Sequence, residues 1–274
     1  MLSTVVVVIL VILVANHIIA RQALKLARSL GIPPVATNAV YFADPEDYTL
    51  HRLVREMGAL AIEQVERVLK ALDDESPEEA REVIERDRLV NELDTRIDEE
   101  VVKLLVRRQP MAGDLRAIMT VAKSVVDLER VGDQTRRVAR LVQHLYTEGP
   151  TAPKPGLLED IHRLAAIAVR MMRIAMQAFD AFDLGKAVEV IQENERLEAE
   201  FQSALRRVTT FVLEDHRTIG HMVDAVLGLR ALERIGGHAK NIAGYVIYLC
   251  TGRDVRHADL ETVAQEIVAG KPHS

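Results

Sequence analysis

The sequence contains one cysteine, no tryptophan and few other aromatic residues. Cys250 is the only thiol among 274 residues, and aromatic residues make up 4% of the chain. One cysteine cannot form an internal disulfide bond or a cysteine-based zinc cluster, and the lack of a disulfide framework favours a reducing cytosol. The scarcity of aromatic residues argues against a β-sandwich or β-barrel, because the strands of those folds draw on aromatic and β-branched side chains.

The chain also lacks an excess of positive charge. Its 35 lysines and arginines stand against 41 acidic residues, which gives a formal net charge of −6. Without a basic field, nucleic acid is not expected as a partner. Hydrophobic residues make up 49% and charged residues 28%, a composition that can bury a large core and excludes wholesale disorder. The abundance of Ala, Leu, Val, Glu and Arg favours long helices.

Residues 1–44 differ from the rest of the chain. A stretch of about 17 residues, 4–20, is apolar and uncharged, which is the short limit for a membrane span. Positive charges follow this stretch, at Arg21, Lys25 and Arg28, whereas a secretory signal would carry them in front. Three interpretations remain open: a signal anchor that leaves the following residues in the cytoplasm, a start codon assigned too far upstream, and an ordinary buried or interfacial helix.

From Thr49 onward, apolar residues recur at the helical spacing of three and four residues. Ser76-Pro77-Glu78-Glu79 has the residue types of a helix start, and the proline- and glycine-rich segment 147–156 reads as a linker. The predicted helices cover residues 49–72, 77–108, 113–146, 157–182, 184–215 and 218–251.

Two motifs occur once in each half of the chain. Leu128–Asp133 (LERVGD) recurs as Leu232–Gly237 (LERIGG), and Val83-Ile84 recurs as Val190-Ile191. Such self-similarity indicates an internal duplication. We therefore predict an all-α protein of two tandem, pseudo-symmetric, antiparallel three-helix bundles with an extra N-terminal apolar segment. The expected divisions are an N-terminal extension 1–44, a first bundle 45–146, a linker 147–157, a second bundle 158–262 and a tail 263–274.

Acidic side chains interrupt the apolar stripes that should face the core. In the second helix, the stripe and its polar members are Val83, Val90, Val101 and Leu105 with Asp87, Asn91, Asp94 and Asp98. In the third helix, the stripe runs through Leu115, Ile118, Ala122 and Val125 to Glu129, Asp133 and Arg136. In the sixth helix, it runs through Met222, Val223 and Val226 to Glu233, Gly237 and Lys240.

Carboxylates that face one another inside a bundle repel, and burying them unpaired is costly. A divalent cation neutralises several at once, and ligands made only of oxygen suit Mg, Ca, Mn or Fe. The alternative is that the acids lie at the stripe edge and pair with Arg130, Arg136 or Arg137. The basic pairs Arg136-Arg137 and Arg206-Arg207 are themselves expected on solvated faces.

The same segments resemble a known family, PhoU, the phosphate-uptake regulators. In the first half, the resemblance is carried by Glu85–Asp87, Asn91, Asp94, Asp98, Arg108–Arg116 and Leu128–Asp133. In the second half, Leu232–Ala243, Val246–Tyr248 and Thr251–His257 are similar to the C-terminal signature of the family. The resemblance covers about residues 47–260, and residues 1–44 have no counterpart, in line with an upstream start.

The resemblance implies a multinuclear metal site on each bundle, built from paired Glu/Asp-x-x-x-Asp motifs. The matching ligands are Asp94, Asp98, Glu129 and Asp133 in the first repeat and Glu200 and Glu233 in the second, with Asp87, Asn91 and Glu198 as additional candidates. Gly237 stands where the family has Asp, and Asn194 stands at the position of Asp87, so the second site is expected to be weakened or lost. The expected cofactors are divalent or trivalent ions of Fe, Zn, Mn or Mg.

The resemblance further implies a regulatory role without covalent chemistry. We expect a non-enzymatic negative regulator of phosphate uptake and phosphate-regulon signalling. Its expected partners are the phosphate ABC transporter ATPase, the phosphate-sensing histidine kinase and a second copy of the chain. The protein is expected in the cytoplasm, with membrane association indirect or through residues 4–20.

The alternative function is a carboxylate-bridged di-metal bundle with oxidase or metal-storage activity. Such bundles need a Glu-x-x-His motif twice, and Glu159-x-x-His162 provides it once. The sequence shows no glycine-rich phosphate cradle, so direct phosphate sensing has no evident site.

Overall fold

Six long helices form the part of the chain that the computed structural model describes, residues 45–110, 113–147, 155–214, 219–253 and 255. The helices are α1 Pro45–Asp73, α2 Pro77–Arg108, α3 Gly113–Thr147, α4 Pro155–Ala181, α5 Leu184–Glu214 and α6 Ile219–Thr251. The all-α prediction is confirmed. The apolar N-terminal segment and the interpretations attached to it lie outside the described residues. Over the ranges just given, none of the helices is long and apolar enough to cross a bilayer.

Local sequence explains where α2 begins and ends. The Oγ atom of Ser76 accepts a hydrogen bond from the backbone N–H of Glu79 at 3.2 Å, and Pro77 occupies the first turn. At the other end, Gln109 adopts a left-handed conformation with φ of 46°, and its N–H bonds the carbonyl oxygen of Leu105 at 3.2 Å. The predicted bounds of this helix are therefore confirmed.

The helices pack as two bundles that share one apolar core. α1, α2 and α3 contact one another, as do α4, α5 and α6, and the bundles meet where α3 packs against α6 and α1 against α4. The α3–α6 pair is antiparallel: Arg116, near the start of α3, lies 5.7 Å from the ring centre of Tyr248, whereas His144 near its end lies 3.5 Å from Asp224. The predicted pair of three-helix bundles is confirmed.

The core contains equivalent residues from both repeats. Leu128 and Leu232, which occupy the same position in the repeated motif, are both fully buried, and burying each such side chain stabilises the fold by about 1.5–3 kcal/mol. Two predicted core positions are wrong, because Leu115 is 40% and Val223 54% exposed. Neighbouring helical residues point about 100° apart, and at this place Met222 takes the core side of α6 while Val223 faces solvent. Leu115 lies in the first turn of α3.

A buried carboxylate connects the two bundles. Asp127 of α3 is only 6% exposed, and its Oδ1 atom accepts hydrogen bonds from His238 Nδ1 at 2.7 Å and Asn241 Nδ2 at 2.9 Å. Both donors belong to α6. Because a buried acceptor needs its donors nearby, these bonds fix the register of α3 on α6.

We expect Asp127→Ala to destabilise the protein by about 1–3 kcal/mol, since His238 and Asn241 lose a buried charged acceptor. Urea unfolding followed by circular dichroism measures the loss. The matched control is Asp74→Ala, which removes a half-exposed carboxylate 3.0 Å from Lys70 and should change stability by less than about 0.5 kcal/mol. Equal stability of Asp127→Ala and the control would contradict this role.

Candidate functional site

Five acidic side chains lie along the contact between α2 and α3, and we call this surface the acidic face. It consists of Asp87, Asp94 and Asp98 from α2 and Glu129 and Asp133 from α3. Asp87 is buried, Asp98 is exposed and the other three are half-buried. The negative charges of Asp133, Asp94 and Asp87 all act on Glu129. The structure thus brings the candidate ligands of the first repeat onto one surface.

A glycine allows the two helices to approach closely at the acidic face. A Cβ atom on Gly132 would lie 2.9 Å from Asp87 Oδ1 and 3.4 Å from Val90 Cγ1. The equivalent Gly236 has Leu197 of α5 in the same place. The glycine of the repeated Leu-Glu-Arg-x-Gly motif therefore serves close helix packing in both repeats.

Arg136 is the main counter-charge of the acidic face. Its Nη1 atom donates to Asp87 Oδ2 at 2.7 Å and its Nη2 atom to Asp133 Oδ1 at 2.6 Å. Arg136 is therefore wrongly predicted as part of a solvated pair, because it reaches from α3 to a buried acid on α2. Pairing of the acids with arginines, the alternative to a metal, is observed for Asp87 and Asp133 with Arg136 and for Glu129 with Arg130.

Burial raises the pKa of Asp87 in spite of this pairing. The positive charge of Arg136 lowers the pKa and the charge of Asp133 raises it, while hydrogen bonds from Asn91 and Arg136 lower it. Desolvation is the largest of these effects. Asn91, an additional candidate ligand, thus favours the ionised form of Asp87 on the same helix.

The other acids are less well compensated. Burial raises the pKa of Asp94, and the nearby Asp98 raises it further. Burial and then the charge of Asp133 raise the pKa of Glu129, against the opposing effect of Arg130. Arg130 lies 3.5 Å from Glu129 and 3.7 Å from Asp133. Negative charge on the acidic face therefore exceeds what its two arginines neutralise.

The acidic face suits a metal ion in donor type and charge. Its ligands are carboxylate oxygens, which hard cations prefer, and a cation would relieve their repulsion. Within the described residues, however, no three His, Cys, Asp or Glu side chains are grouped closely enough to hold a metal ion. Ligation by three of the acids therefore requires some of their side chains to turn.

The second repeat does not reproduce the acidic face. Asn194, at the position of Asp87, is buried and donates through Nδ2 to Glu198 Oε1. A Cβ atom on Gly237, at the position of Asp133, would have no atom within 4 Å apart from its chain neighbours and the backbone of its own helix. The two places that hold acids in the first repeat thus hold an amide and open space in the second.

Glu200 and Glu233, the remaining candidate ligands of the second repeat, each have an arginine partner of their own. Glu233 pairs with Arg230 Nη1 at 3.2 Å, and Glu200 lies 3.5 Å from Arg163 Nη1 of α4. Glu198, rather than Glu200, lines a groove together with Glu233.

The side chains of the single Glu-x-x-His motif and its surroundings make contacts that hold α4 in the fold. His162 bonds the carbonyl oxygen of Leu158 at 2.7 Å through Nδ1 and Asp73 Oδ1 at 2.6 Å through Nε2. The buried Asp160 beside it accepts hydrogen bonds from Arg207, so Arg207 is also wrongly predicted as solvated. This motif therefore contributes to the contacts of α4 and adds nothing to the acidic face.

Comparisons with known proteins match both bundles. The model of the PhoU domain family matches residues 54–142 and 161–246, one segment in each bundle. The phosphate-specific transport system accessory protein PhoU homolog of Pseudomonas aeruginosa is 40% identical over 225 residues, 82% of this chain and 91% of that protein. The accessory protein PhoU of Escherichia coli is 30% identical over 218 residues, 80% of this chain and 88% of that protein.

Solved structures show the same fold. The crystal structure of PhoU from Pseudomonas aeruginosa aligns with a TM-score of 0.72 at 38% identity and covers 76% of this chain and 98% of that chain. The phosphate transport system regulatory protein PhoU from Streptococcus pneumoniae aligns with a TM-score of 0.68 at 25% identity, over 77% of this chain and 99% of that chain. The matched length includes both bundles in each case.

The raised pKa values of Asp94 and Glu129 predict how the stability of the metal-free protein depends on pH. Ionising these acids costs the folded state free energy above their folded pKa, and the cost is absent below the ordinary carboxyl pKa of about 4. We expect Asp94→Asn/Glu129→Gln to be more stable than wild type near pH 7, with the difference disappearing towards about pH 4. Urea unfolding in the presence of a chelator measures the difference.

The control for this pH series is Glu85→Gln, which neutralises a 65% exposed acid beside Arg81 on α2. Its stability relative to wild type should vary little over the same pH range, because exposed pairs contribute little. A double variant that is less stable than metal-free wild type near pH 7 would show that ionisation of Asp94 and Glu129 does not cost the folded state free energy.

Proposed function

The chain belongs to the PhoU family, and on that premise we propose that it is a non-enzymatic negative regulator of phosphate uptake and phosphate-regulon signalling. The observation that carries the proposal is the extent of the match, which includes both bundles and 91% of the length of a phosphate-specific transport accessory protein. A duplicated helical framework suits a protein that acts by contact with partners.

We propose that the partners are the ATPase of the phosphate ABC transporter and the phosphate-sensing histidine kinase. Exposed apolar residues at equivalent positions of both repeats support a docking role; the pairs are Val106 and Leu213, Leu115 and Ile219, and Met119 and Val223. Apolar surface next to charged surface is typical of protein–protein contacts. We also propose that the protein is located in the cytoplasm and forms a homodimer.

We further propose that the acidic face binds a divalent or trivalent ion of Fe, Zn, Mn or Mg. Asp94, Asp98, Glu129 and Asp133 would hold it, with Asp87 next to them. When bound, the ion would supply positive charge to an overcharged surface, so the attraction of this surface for a partner would depend on occupancy. In the second repeat, the absence of an acid at Gly237 and the arginine partners of Glu200 and Glu233 argue for a weakened site.

Metal analysis of protein purified without a histidine tag tests the ion proposal. We expect Asp94→Asn/Asp98→Asn to lose most of the metal bound by wild type, because two uncompensated oxygen ligands are replaced by neutral amides. Asp74→Asn, on an exposed turn, is the control and should retain the wild-type content. If the double variant and the control bind equal amounts, the acidic face does not hold the metal.

Replacement of the chromosomal gene tests the regulatory role. In phosphate-rich medium, we expect deletion to raise both phosphate uptake and transcription of the phosphate regulon, and the wild-type gene to restore both to the repressed level. Glu129→Ala/Asp133→Ala should restore repression only in part, because it removes charge that we assign to docking. Uptake and transcription that are unchanged after deletion would reject the proposed function.

A further inference from the structure

A groove of about 720 Å³ runs along the second bundle between α3, α5 and α6. Its walls carry four side chains that are cationic at neutral pH: Arg130 and Arg137 from α3, and Arg234 and Lys240 from α6. The buried amide of Asn194 from α5 also lines the groove. Basic side chains from both bundles therefore line the same groove.

Three of these cations have no acidic partner within the described part of the chain. Arg234 and Lys240 form no ion pair there, and Arg137 is bonded only to the neutral amide of Gln134, at 3.4 Å. Cations that share a groove repel one another, and the repulsion is relieved when an anion binds between them.

Two carboxylates also line the groove, and each has a partner. Glu233 pairs with Arg230, which does not line this groove, and Glu198 accepts a hydrogen bond from Asn194. The third nearby acid, Asp127, is buried and accepts hydrogen bonds from His238 and Asn241. A hydrogen bond from a neutral amide leaves the negative charge of Glu198 in place, so the lining carries four basic side chains against two carboxylates and its net charge is positive.

The two repeats differ in charge at two equivalent positions. Asp87 and Asp133 of the acidic face correspond to Asn194 and Gly237, and both of the latter line the groove. Gly237 leaves open space at its position. The second repeat thus has the same helical framework as the acidic face but the opposite local charge.

We propose that this groove binds a phosphate-type oxyanion, either free inorganic phosphate or the phosphate groups of a nucleotide. Arginine offers paired N–H donors that match two oxygens of such a group, and lysine adds a compact positive charge. The volume lies in the range of small-molecule sites, so it can take either source. The inference goes beyond the proposed regulatory function and does not depend on metal at the acidic face.

Isothermal titration calorimetry of the full chain, in chelator and at low salt, tests the proposal with inorganic phosphate and with ATP as separate probes. We expect Arg234→Gln/Lys240→Gln to weaken binding by at least about tenfold, because charge-assisted hydrogen bonds are lost. Arg196→Gln, which neutralises an exposed arginine paired with Glu193 at 3.2 Å, should bind like wild type.

Gly237 provides a second, sterically mild test. Gly237→Ala adds a methyl group in open space and should leave affinity unchanged, whereas Gly237→Asp adds a negative charge to the groove and should weaken binding by about tenfold or more. Circular dichroism of each variant checks that it is folded.

The two probes separate the sources of the oxyanion. Binding of ATP more than about tenfold tighter than inorganic phosphate assigns the groove to a nucleotide, and comparable binding assigns it to phosphate itself. The proposal is overturned if wild type binds neither probe, or if the groove variants bind as tightly as Arg196→Gln. Because chelator removes metal from every sample, failure of the metal proposal leaves this result unaffected.

Discussion

The antiparallel contact between α3 and α6 is the constraint on which the rest of the molecule depends. In each bundle, one helix has an apolar surface that its own bundle does not cover: α3 in the first and α6 in the second. These two surfaces pack against each other and join the bundles in a single core. Gly228 of α6 admits Leu141 of α3, and Asp127 bonds His238 and Asn241. Close packing brings the helices together, while the buried acceptor selects one register among several that apolar packing alone would permit.

This contact makes α3 a component of three surfaces at once. Glu129 and Asp133 face α2, Asp127 faces α6, and Arg130 and Arg137 turn towards the groove of the second bundle. Because 3.6 residues complete a helical turn, residues only a few positions apart serve different surfaces. A shift of α3 along α6 would therefore alter the acidic face and the groove together, which offers a physical route between two sites on different bundles.

Much of the fold could be predicted from the sequence, because local signals carry it. Ser76 and Pro77 mark the start of α2, and the repeated motif that contains Leu128 and Leu232 indicates the duplication. The clustering of acids on α2 and α3 also follows from helical spacing. Periodicity gives only the direction of a side chain around its own helix, however. It could not show that Arg136 would reach across to Asp87, because that contact depends on how two helices are placed.

Because periodicity does not show how helices are placed relative to one another, the groove and the polar contact between α3 and α6 were not predicted. Asp127 lies three residues after the buried Ser124 and four before the buried Val131, a spacing typical of one helix face, but its donors lie on a helix of the other repeat. Arg137 and Arg234 each look like ordinary solvated residues. They become a cluster only when α3 and α6 pack antiparallel, since both helices then turn a basic side chain towards α5.

Arg136 connects the stability of the first repeat with its capacity for a cation. It supplies the charge that allows Asp87 to be buried, and it bonds Asp133 through its second nitrogen. A metal ion that takes Asp133 as a ligand must share or replace this second bond, whereas Asp87 can keep its own. The arginine and the metal are then partial substitutes, because each offsets the same repulsion among carboxylates. Because Arg136 already pairs with Asp87 and Asp133, the proposed metal ion would change the charge of the acidic face without being needed to keep Asp87 in the core.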